Sequence, residues 1–235
     1  MLIRTRFVKG SALRFISHLD LVRVFHRAVR RARLPIEFSK GYNPHPKISF
    51  GSALAVGCTS EGEFADFELA DEVSPQEFIK RLNHALPDGI KVLEAKEISK
   101  NTPSLMSEIN TAIYCITLEL PEGLSSSEVK QGIKRFMELK TIRIKKLKKN
   151  RQKEMDIRHL IHELDVLDIK NGCVEIKAVV KTGNMGSVNP EMLVQAFNNY
   201  KIFCEDVRLK RAHRKGLFIK TRDGLISPIQ KGTKQ

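Results

Sequence analysis

Residues 2–8, LIRTRFV, alternate apolar and charged side chains, the period of a half-buried strand. A helix follows. Ser17 is placed to cap it, with Asp20 three residues on, and Leu21, Phe25, Ala28, Val29 and Ala32 form an apolar stripe that runs to about Arg33 before Pro35 stops it. Pro35–Phe38 reads as a short extended piece and 39–46 as turn-rich. Lys47–Val56 and Glu63–Leu69 read as a strand pair, Ser74-Pro75 opens a helix through Leu86, and Gly89–Ile98 reads as a strand. This order is β-α-β-β-α-β, the ferredoxin-like arrangement.

After a polar stretch the pattern recurs. Ala112–Leu120 reads as a strand, Ser125–Leu139 as a helix, and Thr141–Lys149 and Asp156–Asp168 as extended segments around a basic insertion. Gly172–Lys181 is a strand, Asn189-Pro190 opens a helix to about Tyr200, and Glu205–Ile219 is strand-like. The expected fold is therefore α+β: two tandem ferredoxin-like domains with antiparallel sheets, at 1–98 and 112–220. Residues 99–111 would be a linker and 221–235 a loose polar tail.

Charge sharpens this picture. The 235 residues carry 41 Lys plus Arg against 27 Asp plus Glu, a net +14. The excess comes in blocks: +9 over residues 1–50, −5 over 51–100, seven basic and no acidic residues from Arg143 to Lys153, and +7 over 201–235. Blocks of one sign suit an electrostatic footprint for nucleic acid more than a mixed solubilising surface. No apolar run approaches the roughly 18 residues of a membrane span, and MLIRTRF lacks a signal-peptide core, so a cytoplasmic protein with no membrane partner is expected. Four scattered cysteines without a C-x-x-C argue against a zinc ribbon or an iron–sulfur site, and no cofactor is expected. His159 and His162, three apart near several acids, lack a recognised ligand spacing, so no metal site is expected either.

Two features carry candidate chemistry. Arg23, Arg27 and Arg30, with Arg31 beside them, recur at helical spacing on one face, and His26 shares that side; guanidinium groups in such a row meet phosphates bidentately. In the loop SKGYNPHPKISFG two prolines stiffen the chain around His45, so that Lys40, Tyr42, Asn43, His45 and Lys47 stand at fixed positions. Tyr42 offers a stacking face for an unpaired base, and Asn43 and His45 offer edge hydrogen bonds. The expected nucleic-acid contacts further include Arg143, Lys145, Lys146, Lys148 and Lys149 of the basic run, and Arg158, Lys210, Arg211 and Arg214. Metal-independent RNA cleavage needs a base, an acid and a cation, for which His18, His45, Lys47 and Tyr42 are the candidates. Against this, the C-terminal glycine-rich loop of the CRISPR repeat-processing endoribonucleases, which a tandem ferredoxin-like protein would resemble, is missing.

Phe15-Ile16-Ser17-His18-Leu19-Asp20, the Arg-Ala-Val-Arg-Arg-Ala run at 27–32, Leu34-Pro35, Gly-Tyr-Asn-Pro-His-Pro-Lys at 41–47 and Gly62-Glu63-Phe64 together resemble the signature of one bacterial family. It is the family of uncharacterised radical-SAM-linked proteins, found as separate chains or fused C-terminally to radical SAM, cobalamin-binding-type proteins. The resemblance implies RNA metabolism by genomic association, since members often adjoin genes for a ribonuclease and ribosomal proteins. The chain has no C-x-x-x-C-x-x-C run, so it is not itself expected to be a radical SAM enzyme. The expectation is an RNA-binding accessory or substrate-recognition protein for a separate radical SAM enzyme, in tRNA or rRNA modification or processing. The alternatives are a docking module for that enzyme without RNA contact, with Glu61, Glu63, Asp66 and Glu68 as the acidic docking surface, and a metal-independent endoribonuclease.

Overall fold

The computed structural model describes residues 1–148, 151–203 and 206–231, with the side chains of 146–148 and 151–152 outside that description. The chain forms two compact units: residues 1–110 with 214–235, and the continuous segment 111–213. The fold is mixed α+β with mostly antiparallel sheet.

In the first unit β1 (Leu2–Lys9) leads through a short 3-10 turn to α1 (His18–Arg31). A three-residue β2 (Ile48–Phe50), β3 (Thr59–Glu68), α2 (Pro75–Ala85), β4 (Ile90–Ile98) and a one-turn α3 (Leu105–Glu108) follow. β1 is central, antiparallel to both β3 and β4, and β2 pairs antiparallel with the far side of β3. The expected strand 47–56 is thus cut short after Phe50, and residues 51–58 are irregular. The Ser17 side chain caps α1 by accepting from the Asp20 N–H at 3.1 Å, and Ser74 caps α2 by accepting from Glu77 N–H. Alternate residues of the sheet, among them Ile3, Phe7, Ala65 and Phe67, pack against Leu21, Phe25, Ala28 and Val29 of α1 and Phe78 and Leu82 of α2. Phe7 and Phe25 meet edge to face at 5.0 Å.

The opposite face of this sheet is also covered. The stretch 99–111, expected as a linker, carries α3, with Leu105, Glu108 and Ile109 buried, and ends in the first residue of the next strand. The segment after 220 is not loose over its described part either. β11 (Leu225–Ile226) pairs with the end of β10 (Arg208–Lys220), and a 3-10 turn at Pro228–Gln230 buries Pro228 and Ile229. Beneath these two segments lies Arg4, fully buried, donating to Asp66 twice at 2.8 Å, to Glu108 at 3.5 Å, and to the Pro103 and Pro228 carbonyls.

The second unit comprises β5 (Thr111–Glu119), α4 (Ser126–Glu138), a hairpin of β6 (Arg143–Lys148) and β7 (Arg151–Asp156), β8 (Ile161–Lys170), β9 (Cys173–Lys181), α5 (Pro190–Asn199) and β10 through His213. Its sheet runs β10-β5-β9-β8. Ser125 and Glu128 form a reciprocal capping box on α4, and Asn189 caps α5 with Pro190 in the first turn. Phe136, Phe197 and Phe203 form its aromatic centre.

Candidate nucleic-acid interface

The side of α1 turned away from the core carries the arginine row. Arg23, Arg27, Arg30 and Arg31 are all exposed. Arg23 is tethered to Asp20 at 3.1 Å, one turn back, and Arg31 donates to the Ala85 carbonyl at the end of α2 at 2.6 Å. Asp20 sits in the first turn, where the helix dipole favours an anion, and its bonds with Ser17 hold its carboxyl below the usual range.

The loop 39–47 closes against this face. Its base is stapled by three hydrogen bonds: Ser39 N–H to the His45 carbonyl at 2.8 Å, His45 N–H to Ser39 Oγ at 3.0 Å, and Lys47 N–H to the Glu37 carbonyl at 2.8 Å. Between these staples Lys40, Gly41, Tyr42, Asn43 and Pro44 are exposed, Tyr42 completely. Gly41 has φ of 133°, a conformation an L side chain rarely adopts, so the glycine is what allows the turn. Two contacts join loop and helix. The His26 and His45 rings stack with centroids 6.2 Å apart, and the Arg30 guanidinium lies 5.8 Å from the Phe38 ring centre. Burial first, then the charges of His45 and Arg30, lower the His26 pKa below the usual imidazole range. Helix row and loop therefore meet, the exposed arginines on the helix and Lys40 and Tyr42 on the loop.

Several residues expected on that surface lie elsewhere. Arg214 is fully buried: it grips Glu63 through two nitrogens, one at 2.7 Å, and donates to the Ser52 and Ala53 carbonyls. It is an interior counter-ion and out of reach of an external phosphate. Lys47 is engaged by Glu37 and Glu68, each at 2.8 Å, which raises its pKa and lowers that of Glu37; it is not a spare cation for catalysis. Arg158 donates to the Met137 and Ile161 carbonyls at 2.8 and 3.0 Å, so its guanidinium braces the second unit from within. His18 is half-buried, edge-on to Phe50 at 5.7 Å; burial lowers its pKa, and no described contact joins it to His45. The acidic docking surface is also thinner than expected, because Glu63 and Asp66 are interior partners of Arg214 and Arg4.

In the second unit Arg143 and Lys145 are exposed on β6, opposite Asp156 and Glu154 of β7, and Lys146 and Lys148 lie on the same strand. Lys149 falls outside the described residues. Lys210 and Arg211 are exposed on β10, with Lys210 Nζ 3.5 Å from Cys173 Sγ. Two exposed aromatic rings stand outside the contacts expected from the sequence. Phe15 is 68% exposed under the Arg14 guanidinium, 4.5 Å from its ring centre. Phe38 is exposed beneath Arg30. An aromatic placed within reach of an arginine just outside a helix is the signal that could have found both.

Residues 2–190 match the family described as an uncharacterized protein conserved in bacteria, DUF2344. The chain belongs to this family. No curated protein matches it significantly. Among solved structures, a chain in a Cbf5-Nop10-Gar1 complex is similar in fold, with a TM-score of 0.51 and 12% identity over 91% of this chain and 47% of that one. Weaker likenesses are to a chain of an H/ACA RNP bound to a substrate RNA containing 2′-deoxyuridine (TM-score 0.46, 11% identity, 91% and 46% coverage) and of an archaeal box H/ACA sRNP Nop10-Cbf5 complex (0.46, 9%, 91% and 46%). This DUF2344 chain spans about half the length of each of them.

Proposed function

We propose that this DUF2344 protein binds RNA through the α1 arginine row and the 39–47 loop, as the recognition partner of a separate radical SAM enzyme. The observation that carries the RNA reading is the joining of the two features: exposed Arg23, Arg27 and Arg30 beside a stapled loop whose Tyr42 ring is wholly in solvent. The arginines suit phosphates at any sequence, and a solvent-facing ring suits an unpaired base, a combination that single-stranded loops or ends of RNA can satisfy. The exposed cations of the second unit, Arg143, Lys145, Lys210 and Arg211, supply further phosphate contacts. The radical SAM partnership rests on the motif resemblance and on the lack of a cluster-binding cysteine run in this chain.

We read both units as ferredoxin-like. In the first, the strands run β4-β1-β3-β2; in the second, β10-β5-β9-β8, with the β6–β7 hairpin as an insertion. Each is the order 4-1-3-2 of a split β-α-β-β-α-β unit, counted along its own strands.

The decisive experiment is a mobility-shift titration of the protein with structured RNA over a salt series. Affinity should fall steeply with salt as phosphate contacts release counterions. Arg27→Ala and Arg30→Ala should weaken binding to all RNAs alike and each lower the salt slope by about one. Absence of binding at low salt, with the enzyme still retained in a nuclease-treated pull-down, would favour the docking module instead.

A further inference from the structure

The face of the first unit's sheet opposite α1 holds a cavity of about 340 Å³, near the small end of ligand sites. Its floor is made by β1, β3, β4 and the last part of β10, and its rim by the turn at 227–230. The cavity exists because two glycines meet beneath it. A Cβ on Gly62 would stand 2.6 Å from the Gly216 Cα, so the two backbones approach with no side chain between them. Phe64, Phe218 and Ile229 give the lining an apolar, partly aromatic part.

The charged part of the lining is mainly cationic. Arg6 is held by Glu94 and donates to the Glu61 carbonyl at 3.2 Å, and Lys215 pairs with Glu61 at 3.2 Å. Lys96 is different: it lines the cavity half-buried, with no ion pair or hydrogen bond among the described residues. Its β1 neighbour in register is the fully buried Arg4, whose own charge is consumed by Asp66 and Glu108. A half-buried lysine with no ion pair, in the same cavity as the partly exposed Phe218 ring, suits a ligand with a phosphate-like group on one side and a planar body on the other. Glu94 and Gln230 add acceptors for hydroxyl or amine donors.

We propose that this cavity binds a nucleoside 5′-monophosphate group, with its phosphate on Lys96 and its base against Phe218. The group can be a free mononucleotide or the 5′-phosphorylated end of an RNA. The site is separate from the α1 surface and does not depend on the RNA reading given above.

Titration calorimetry with AMP tests it. The protein should bind AMP saturably and adenosine about tenfold more weakly, the worth of a charged hydrogen bond. Lys96→Met should erase that preference, while Lys91→Met, on an exposed position of the same strand, should leave it intact. A 5′-phosphorylated tetranucleotide that displaces AMP identifies an RNA end as the source; failure to displace it identifies the free nucleotide. Arg27→Ala and Arg30→Ala should leave AMP binding unchanged, so loss of RNA binding alone would not touch this site. Equal binding of AMP and adenosine, no binding of AMP at about 5 mM, or loss of AMP binding in the α1 variants would overturn the proposal.

Discussion

At the scale of single residues, the charges of this protein divide into two populations with different physics. Arg4, Arg214, Glu63 and Asp66 are interior groups, each set against an opposite charge in a buried ion pair. Arg23, Arg27 and Arg30 are solvated and cost little to keep, so their free energy is available to a ligand. His26 lies between the two classes. Its depressed pKa leaves it neutral at pH 7, and an RNA phosphate nearby would favour its protonated form, so binding would take up a proton. RNA affinity should therefore rise as pH falls from 7 through the depressed value, and His26→Gln should flatten the profile in a mobility-shift series. Stability should move the other way. His18 and His26 both titrate below the unfolded value of 6.5, so the unfolded chain binds more protons in that window and the melting temperature should drop as pH falls below 6.5.

At the scale of elements, caps and apolar stripes were legible because they are local. Ser17, Ser74, Ser125 and Asn189 sit within three residues of the N–H groups that they cap, and all four helices they begin were readable from those signals. Ser17→Ala should cost about 1 kcal/mol in a urea titration and lower RNA affinity modestly, since fraying the first turn loosens the row that begins at Arg23. The loop was half legible. Its prolines and Gly41 marked a stiff turn, but the staple from Ser39 and the stacking of His45 on His26 depend on how α1 packs. The strands misled in one respect. Alternation in LIRTRFV places Arg4 and Arg6 on one face, which a two-layer reading leaves to water. That face is covered instead by residues 103–109 and 225–230, elements too short to show a period of their own.

At the scale of the whole molecule, the buried ion pairs link distant parts of the sequence. Arg4 and Asp66 are 62 residues apart, and Glu63 and Arg214 are 151 apart, separations at which no sequence pattern announces a partner. Asp66→Asn would leave the buried Arg4 guanidinium short of its bidentate partner. The change should cost about 3–5 kcal/mol in chemical denaturation, against less than 1 kcal/mol for loss of a surface pair. Replacing both partners together, Arg4→Met with Asp66→Leu, should cost less than the single change, because the one buried charge left behind, Glu108, keeps Lys231 at 2.6 Å.

The division of β10 between the two units has a consequence for biosynthesis. Residues 111–213 form one uninterrupted stretch, so that unit has all its parts as soon as His213 leaves the ribosome. The unit that is translated first is completed last: Glu63 waits for Arg214, and Arg4 waits for the Pro228 carbonyl 224 residues later. At about 5–20 residues per second, Glu63 emerges roughly 8–30 s ahead of its counter-ion. During that interval the nascent chain holds the acids of its unfinished sheet face in water, where a carboxylate is at no disadvantage.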